Sequence, residues 1–144
     1  MKLHFQQVEY NSPLYLELLP LREQVLRTPL GLFYSKDDIA AEEDQIQLAA
    51  FSGETPVGSL LIISKPDSVA KIRQVAVFDG FRGHGIGRNL MIHAEEYCKA
   101  HSYKKITMHA RVSVRDFYLK LGYKQLGSVF TEVGIDHMVM EKAL

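Results

Sequence analysis

Between positions 75 and 88 the chain reads Val75-Ala76-Val77-Phe78-Asp79-Gly80-Phe81-Arg82-Gly83-His84-Gly85-Ile86-Gly87-Arg88, and this stretch leaves few folds open. An apolar run with the look of a buried strand enters three alternating glycines and leaves as a helix. Glycine permits positive φ and close backbone approach. Successive amides in such a loop, aimed together with a helix N-terminus, form an anion site. Arg82 and Arg88 bracket the loop with guanidinium groups suited to phosphate. The residues indicate a phosphate or pyrophosphate cradle on a strand–loop–helix unit.

Two familiar phosphate loops fail against these residues. A P-loop needs Gly-Lys followed by Ser or Thr, and this loop ends Gly87-Arg88-Asn89. A dinucleotide fingerprint wants a third glycine where Leu90 stands, and an acid about 20 residues on. The next strand instead opens Tyr103-Lys104-Lys105-Ile106. A tight turn without ligand is the bland alternative, and the two arginines argue against it.

The rest of the chain supplies the frame. Leu3, Phe5 and Val8 suggest a short first strand. Ser12-Pro13 reads as an N-cap followed by Pro at the first helical position, and Leu14, Leu18, Leu21, Val25 and Leu26 recur at helical spacing. Pro20 inside that pattern predicts a kink or two short helices. Ser35 with Asp38 resembles a capping box opening a short acidic helix to about Gln45. Strands are predicted over 46–51, 57–63 and 70–78, a helix over 85–100, a strand over 105–110 and a helix over 113–121 capped by Gly122. Two more strands, 123–131 and 135–140, turn near Gly134. The order βααβββαβαββ is that of an α+β or mixed-sheet α/β domain, one domain over residues 1–144.

Composition narrows the function. Seventeen basic and seventeen acidic residues cancel, so no global field favours nucleic acid. No apolar run approaches the ~20 residues that span a bilayer, and Met1-Lys2-Leu3-His4-Phe5 lacks a signal-peptide core. Cys98 is the single cysteine, so no internal disulfide or cysteine metal cage is expected, and a cytoplasmic setting follows by default. Neutrality hides an asymmetry. Residues 1–70 carry 5 basic and 10 acidic residues, or −5, and residues 71–144 carry 12 and 7, or +5.

Arg82-Gly83-His84-Gly85-Ile86-Gly87 resembles the pyrophosphate signature of GCN5-related N-acetyltransferases: Arg or Gln, any two residues, Gly, any residue, Gly or Ala. Val114-Arg115-Asp116-Phe117-Tyr118-Leu119-Lys120-Leu121-Gly122-Tyr123 is similar to that family's helix ending Phe-Tyr-x-Lys-x-Gly-Phe/Tyr. Phe130 to Met138, and Leu21-Arg22 with Val25-Leu26-Arg27, resemble small bacterial members of the ElaA-like branch. The resemblance covers nearly the whole chain. Its motifs specify the family and leave the substrate open.

The resemblance implies a mixed, mostly antiparallel seven-stranded sheet flanked by about four helices, with two splayed parallel strands at its centre. It implies acetyl-CoA as cosubstrate and no metal. The pantetheine arm would lie against the backbone of Val75, Ala76 and Val77. The loop Arg82, Gly83, His84, Gly85, Ile86, Gly87 and Arg88 would hold the pyrophosphate. Phe117 and Tyr118 would flank the thiol end, with Tyr118 as the acid that protonates the departing thiolate. His137, which follows Asp136 on the last strand, is the candidate base or orienter on the acceptor side. Many family members have Asn where Arg111 stands, so Arg111 is free to reach substrate or a CoA phosphate instead.

Other polar groups carry weaker signals. His84 is expected to face solvent, and His109 is either a hydrogen-bonded core histidine or part of the site. Asp37, Asp38, Glu42, Glu43 and Asp44 read first as a solvated helix face. Under the resemblance they would instead wall the acceptor site, joined by Glu132, and favour a cationic amine. Cys98 reads as packing. The expected activity is N-acyl transfer from acetyl-CoA to a primary amine of a small molecule. The competing readings are a silent CoA-binding sensor and an acetyltransferase of protein lysines or N-termini. A homodimer is compatible with the resemblance.

Overall fold

The computed structural model describes residues 2–144. The strands are β1 (Leu3–Val8), β2 (Ile46–Ser52), β3 (Thr55–Lys65), β4 (Val69–Val77), β5 (Lys105–Arg111), β6 (Lys124–Glu132) and β7 (Ile135–Ala143). The α-helices are α1 (Pro13–Leu26), α2 (Lys36–Ala40), α3 (Ile86–Ala100) and α4 (Arg115–Lys120). The order along the chain is the one the sequence predicts.

One sheet contains all seven strands in the order β1-β2-β3-β4-β5-β7-β6. Every neighbouring pair is antiparallel except β4 and β5, which run parallel. That parallel pairing covers only Val69, Lys71 and Ala70 against Lys105, Thr107 and Ile106. Beyond Lys71 the two strands part, and a cleft opens in the middle of the sheet. The splayed pair that the resemblance implies is present.

The sheet buries both faces, and its alternation assigns each residue to one of them. On one face Ile72, Met108, Ala110, Met138 and Met140 pack with Leu90, Met91, Ala94 and Cys98 of α3. On the other Ala49, Phe51, Ala76 and Phe78 pack with Tyr15 and Leu18 of α1. Along β4 this alternation breaks at Gln74, a non-glycine residue at φ 53°. Leu61 pairs with Arg73 but Ser59 pairs with Ala76, so β4 carries one extra residue there. This is a β-bulge, which bends a strand and re-aims the residues after it.

Helix α1 does not split into the two short helices that Pro20 allowed. It runs unbroken from Pro13 to Leu26 through Pro20. Tyr15, Leu18 and Arg22 bury its inner face, whereas Leu16 and Pro20 face solvent. The carbonyl that Pro20 cannot serve belongs to Leu16 and is left on the water side, so packing overrides the broken hydrogen bond. Helix α2 begins with the capping box Ser35–Asp38 but ends at Ala40, short of the expected Gln45. The chain then turns so that Glu42 enters the interior.

Candidate active site

The cleft between β4 and β5 has a volume of about 780 Å³, within the usual range for small-molecule sites. The loop and α3 close one end. Gly83 and Gly85 stand at φ 84° and 70°, a left-handed conformation that a side chain resists. Gly85 is the N-cap of α3, no side chain caps that helix, and its first turn holds no acid. The first ladder bond is Asn89 N–H to the Gly85 carbonyl at 3.0 Å. The amides of Ile86, Gly87 and Arg88 precede it and remain available to an anion.

The open edge of β4 forms one wall. Val75 and Val77 line the cleft, and their peptide groups on the β5 side have no ladder partner there. Ala76, the residue between them, turns its side chain to the α1 face and its carbonyl toward Gly58 of β3, and it stands outside the cleft lining. An unpaired strand edge inside a sheet is a ready partner for an extended amide-bearing ligand.

Helix α4 carries the aromatic end. Gly122, at φ 95°, closes it in a Schellman motif: Tyr123 N–H bonds to the Tyr118 carbonyl at 3.1 Å and Gly122 N–H to that of Leu119 at 3.0 Å. The accompanying side-chain contact is Tyr118 against Tyr123, with rings 5.8 Å apart edge to face. Lys142 secures the turn, bonding to the Leu121 carbonyl at 2.7 Å and to Glu95 of α3 at 2.7 Å. Tyr118 is thus fixed from below, while Phe117 stacks edge-on against it and packs on Gly87. Burial alone pushes the Tyr118 phenol up to about 12, with no charge or hydrogen bond contributing. It is a protonated donor across the physiological range.

The bulge at Gln74 is held from the α1 side. Gln74 Oε1 accepts from Arg22 Nη2 at 2.6 Å and from the Tyr34 hydroxyl at 2.6 Å. Arg22 is fully buried, and its guanidinium takes a two-pronged grip on the Glu42 carboxylate at 2.9 and 2.6 Å. Tyr15 donates to the same carboxylate at 2.7 Å. Apart from the resemblance around Leu21-Arg22, the sequence pattern marks Arg22 only by its helical position. A charged residue on the apolar face beside Leu18 was the available signal.

At the β5–β7 side His137 lines the cleft and is buried. Its Nδ1 lies 2.7 Å from the Ile135 carbonyl. A carbonyl only accepts, so Nδ1 carries the proton and Nε2 is left as the basic atom. Nε2 lies 3.8 Å from Glu132, whose other carboxylate oxygen is 3.0 Å from His109 Nδ1. Burial alone would raise the Glu132 pKa; the His109 hydrogen bond and the charges of His109, His137 and Lys71 hold it below the ordinary value. His109 therefore belongs to the site and not to the core.

Of the residues expected to hold cofactor, Val75, Val77, Arg82, Gly83, Gly85, Ile86, Gly87, Arg88, Phe117 and Tyr118 line the cleft. His84 is exposed and outside the lining, as expected of a solvent-facing residue. The acidic acceptor wall is a correction. Glu42 is spent on Arg22, Asp38 caps α2, and none of Asp37, Asp38, Glu42, Glu43 or Asp44 lines the cleft. Glu132 is the one carboxylate that does, against Arg27, Lys71, Arg73, Arg82, Arg88 and Arg111. Sequence reasoning passed over Lys71, Arg73 and Arg27, because nothing in the pattern shows which face of a strand becomes a cleft wall. Cys98 is buried on the sheet-facing side of α3 with its thiol pushed up to about 11 by burial and then by the charge of Glu95, which fits a packing role. No helix among the described residues is long and apolar enough to cross a membrane.

Comparison with known proteins agrees with this geometry. The family profile described as "Acetyltransferase (GNAT) domain" matches residues 27–144. The Bacillus subtilis (strain 168) protein named "Uncharacterized N-acetyltransferase YitI" is 33% identical over 116 residues, 80% of this chain and 70% of its own. Escherichia coli ElaA superposes with a TM-score of 0.82 at 24% identity, covering 98% of this chain and 99% of that one. A Bacillus subtilis acetyltransferase in complex with CoA superposes with a TM-score of 0.78 at 20% identity, covering 99% of each. The chain belongs to the GNAT acetyltransferase family and is an N-acetyltransferase.

Proposed function

We propose that the protein transfers the acetyl group of acetyl-CoA to a primary amine of a small molecule by direct attack. The observation that carries this reading is the placing of three features around one cleft. These are an uncapped α3 N-terminus, the open edge of β4, and a buried, protonated Tyr118. In this reading Arg82, Gly83, Gly85, Ile86, Gly87 and Arg88 hold the pyrophosphate, and the pantetheine amides pair with β4 at Val75 and Val77, on either side of Ala76. His84 contributes its backbone only.

The amine nitrogen attacks the thioester carbonyl, the new C–N bond forms, and the oxyanion is met by an amide of the β4 edge. The C–S bond then breaks, and the Tyr118 hydroxyl gives its proton to the departing thiolate. The proton lost by the amine goes to His137 Nε2, directly or through a water, with Glu132 stabilising the imidazolium. Neutral amine is required for attack, so the base acts before or during bond formation.

Release of CoA thiol from acetyl-CoA in the presence of an amine panel tests the reading, alongside calorimetric titration with CoA. Turnover with at least one small amine and saturable CoA binding are expected. Absence of CoA binding refutes the reading. CoA binding without transfer to any small amine, but with transfer to peptides, moves the acceptor to protein.

A further inference from the structure

Much of the positive charge that lines the cleft stands away from the phosphate cradle, on a particular face. Register places Lys71 beside Thr107, and Arg111 opposite His137. Strand alternation then puts Lys71, Arg73, His109, Arg111 and His137 on the α1 face of the sheet. The α3 N-terminus, with Ile86 and Gly87, packs on the other face. Arg82 and Arg88 flank that loop. Lys71, Arg73 and Arg111, joined by Arg27 at the end of α1, therefore stand across the sheet from the phosphate cradle.

These cations have little to neutralise them. None of Arg27, Lys71, Arg73 and Arg111 takes part in an ion pair among the described residues. Glu132, the one carboxylate lining the cleft, is taken up by His109 at 3.0 Å. Asp38 feels the charges of Arg27 and Arg73 but forms no ion pair with either, its carboxylate being turned to the Ser35 amide at 2.9 Å. The Lys71 ammonium is held below its ordinary value, first by burial and then by Arg73 and Lys65, with Glu132 opposing only in part. Unpaired like charges gathered at a partly buried wall are unfavourable until an anion joins them.

We propose that the acceptor is an amine that also carries an anionic group, a carboxylate or a phosphate, which Lys71 and Arg73 hold with help from Arg27. This rests on the acetyl-transfer reading and supplies its substrate class. The geometry gives the acceptor two ends. The anionic end meets the cationic wall of β4, and the amine end lies toward Glu132 and His137 on the far side of the cleft. A polyamine, the acceptor an acidic wall would have selected, meets repulsion at the same place.

The test compares amines that differ only in the anionic group: L-amino acids against their carboxamides, and 2-aminoethyl phosphate against ethanolamine, with spermidine as the cationic control. In each pair the anion-bearing member is expected to show a kcat/KM at least about ten-fold higher, the size of one charge-assisted contact. Lys71→Gln and Arg73→Gln should each shrink that ratio, Arg73→Lys should retain most of it, and the CoA affinity of each variant reports its folding. A turnover-independent arm titrates CoA-saturated protein with N-acetyl amino acids, their amides and N-acetyl-2-aminoethyl phosphate. Selective binding of the anionic products supports the proposal even where turnover is slow, and the tighter series identifies carboxylate or phosphate. Transfer to amines with no preference for the anionic member, or with spermidine preferred, overturns this proposal and leaves the acetyl-transfer reading standing. Failure to bind CoA overturns both.

Discussion

Glu42→Gln removes one charge from the network that holds the bulge in β4. The Glu42 carboxylate accepts from Arg22 at 2.9 and 2.6 Å and from Tyr15 at 2.7 Å, and Arg22 and Glu42 are both buried. Gln keeps the shape. It turns one acceptor into a donor facing guanidinium donors, and it leaves the buried cation without a counter-charge. Breaking such a pair costs about 3–5 kcal/mol. Unfolding entropy of about 2.1 cal/mol/K per residue gives ~0.3 kcal/mol/K for a chain of 144 residues, so Tm should fall by roughly 10–17 °C. Circular dichroism melts at pH 7 read this directly. The double change Arg22→Met with Glu42→Leu removes both charges and should recover most of the lost stability. It should not recover CoA affinity, because the Arg22 hydrogen bond that helps hold Gln74 at φ 53° is gone. A fall of less than about 3 °C for Glu42→Gln, near 1 kcal/mol, would refute the buried-pair argument. Full recovery of CoA affinity in the double variant would show that Tyr34 alone sets the bulge.

Three further outcomes are expected. Tyr118→Phe should lower kcat on the order of 10²-fold while leaving the CoA Kd nearly unchanged, and unaltered turnover would remove Tyr118 from the acid role. Gly58→Ala should cost about 1–3 kcal/mol in urea unfolding, because its Cβ would stand 2.8 Å from the Ala76 carbonyl and press β3 off β4; a neutral result would mean that the two strands have slack. The raised Tyr118 phenol also sets an alkaline limit. Its pKa is higher folded, about 12, than unfolded, 10.0, so its contribution is intact below pH 10 and is lost as pH rises toward 12. Urea titrations at pH 9, 10 and 11 should show the loss, small to pH 10 and about 1 kcal/mol from pH 10 to 11 from this group, and Tyr118→Phe should lack that part.

The element order and the site loop were legible because they rest on short-range chemistry. Gly83 and Gly85 announce left-handed backbone, Ser35 and Asp38 announce a cap, and Gly122 announces a helix stop, each within a few residues. What was not legible depends on partners far along the chain. The Arg22–Glu42 pair spans 20 residues and Arg22–Gln74 spans 52. A bulge has no sequence period of its own, so the change of face between Arg73 and Ala76 could not be read from alternation. That α1 stays one helix through Pro20 has a related cause: burial of Tyr15, Leu18 and Arg22 decides the helix, and propensity does not.

The charge asymmetry shows the same limit in electrostatic form. The +5 of the second half does reach the cleft, through Arg82 and Arg88 at the loop and Lys71, Arg73 and Arg111 on β4 and β5. The −5 of the first half does not face it. Glu42 is internal, Asp38 serves a helix cap, and the first half places a cation, Arg27, in the lining. Parallel strands explain this. Because β4 and β5 both come from residues 69–111, the two walls of the splay draw on the basic half, while the acids of the first half sit on α1, α2 and the connecting turns, none of them in the cleft lining. Net charge along a sequence predicts a site's sign only when topology brings that stretch to the site. Here topology brings cations to both faces of the cleft, and the acceptor proposed above would meet them across from the phosphate cradle.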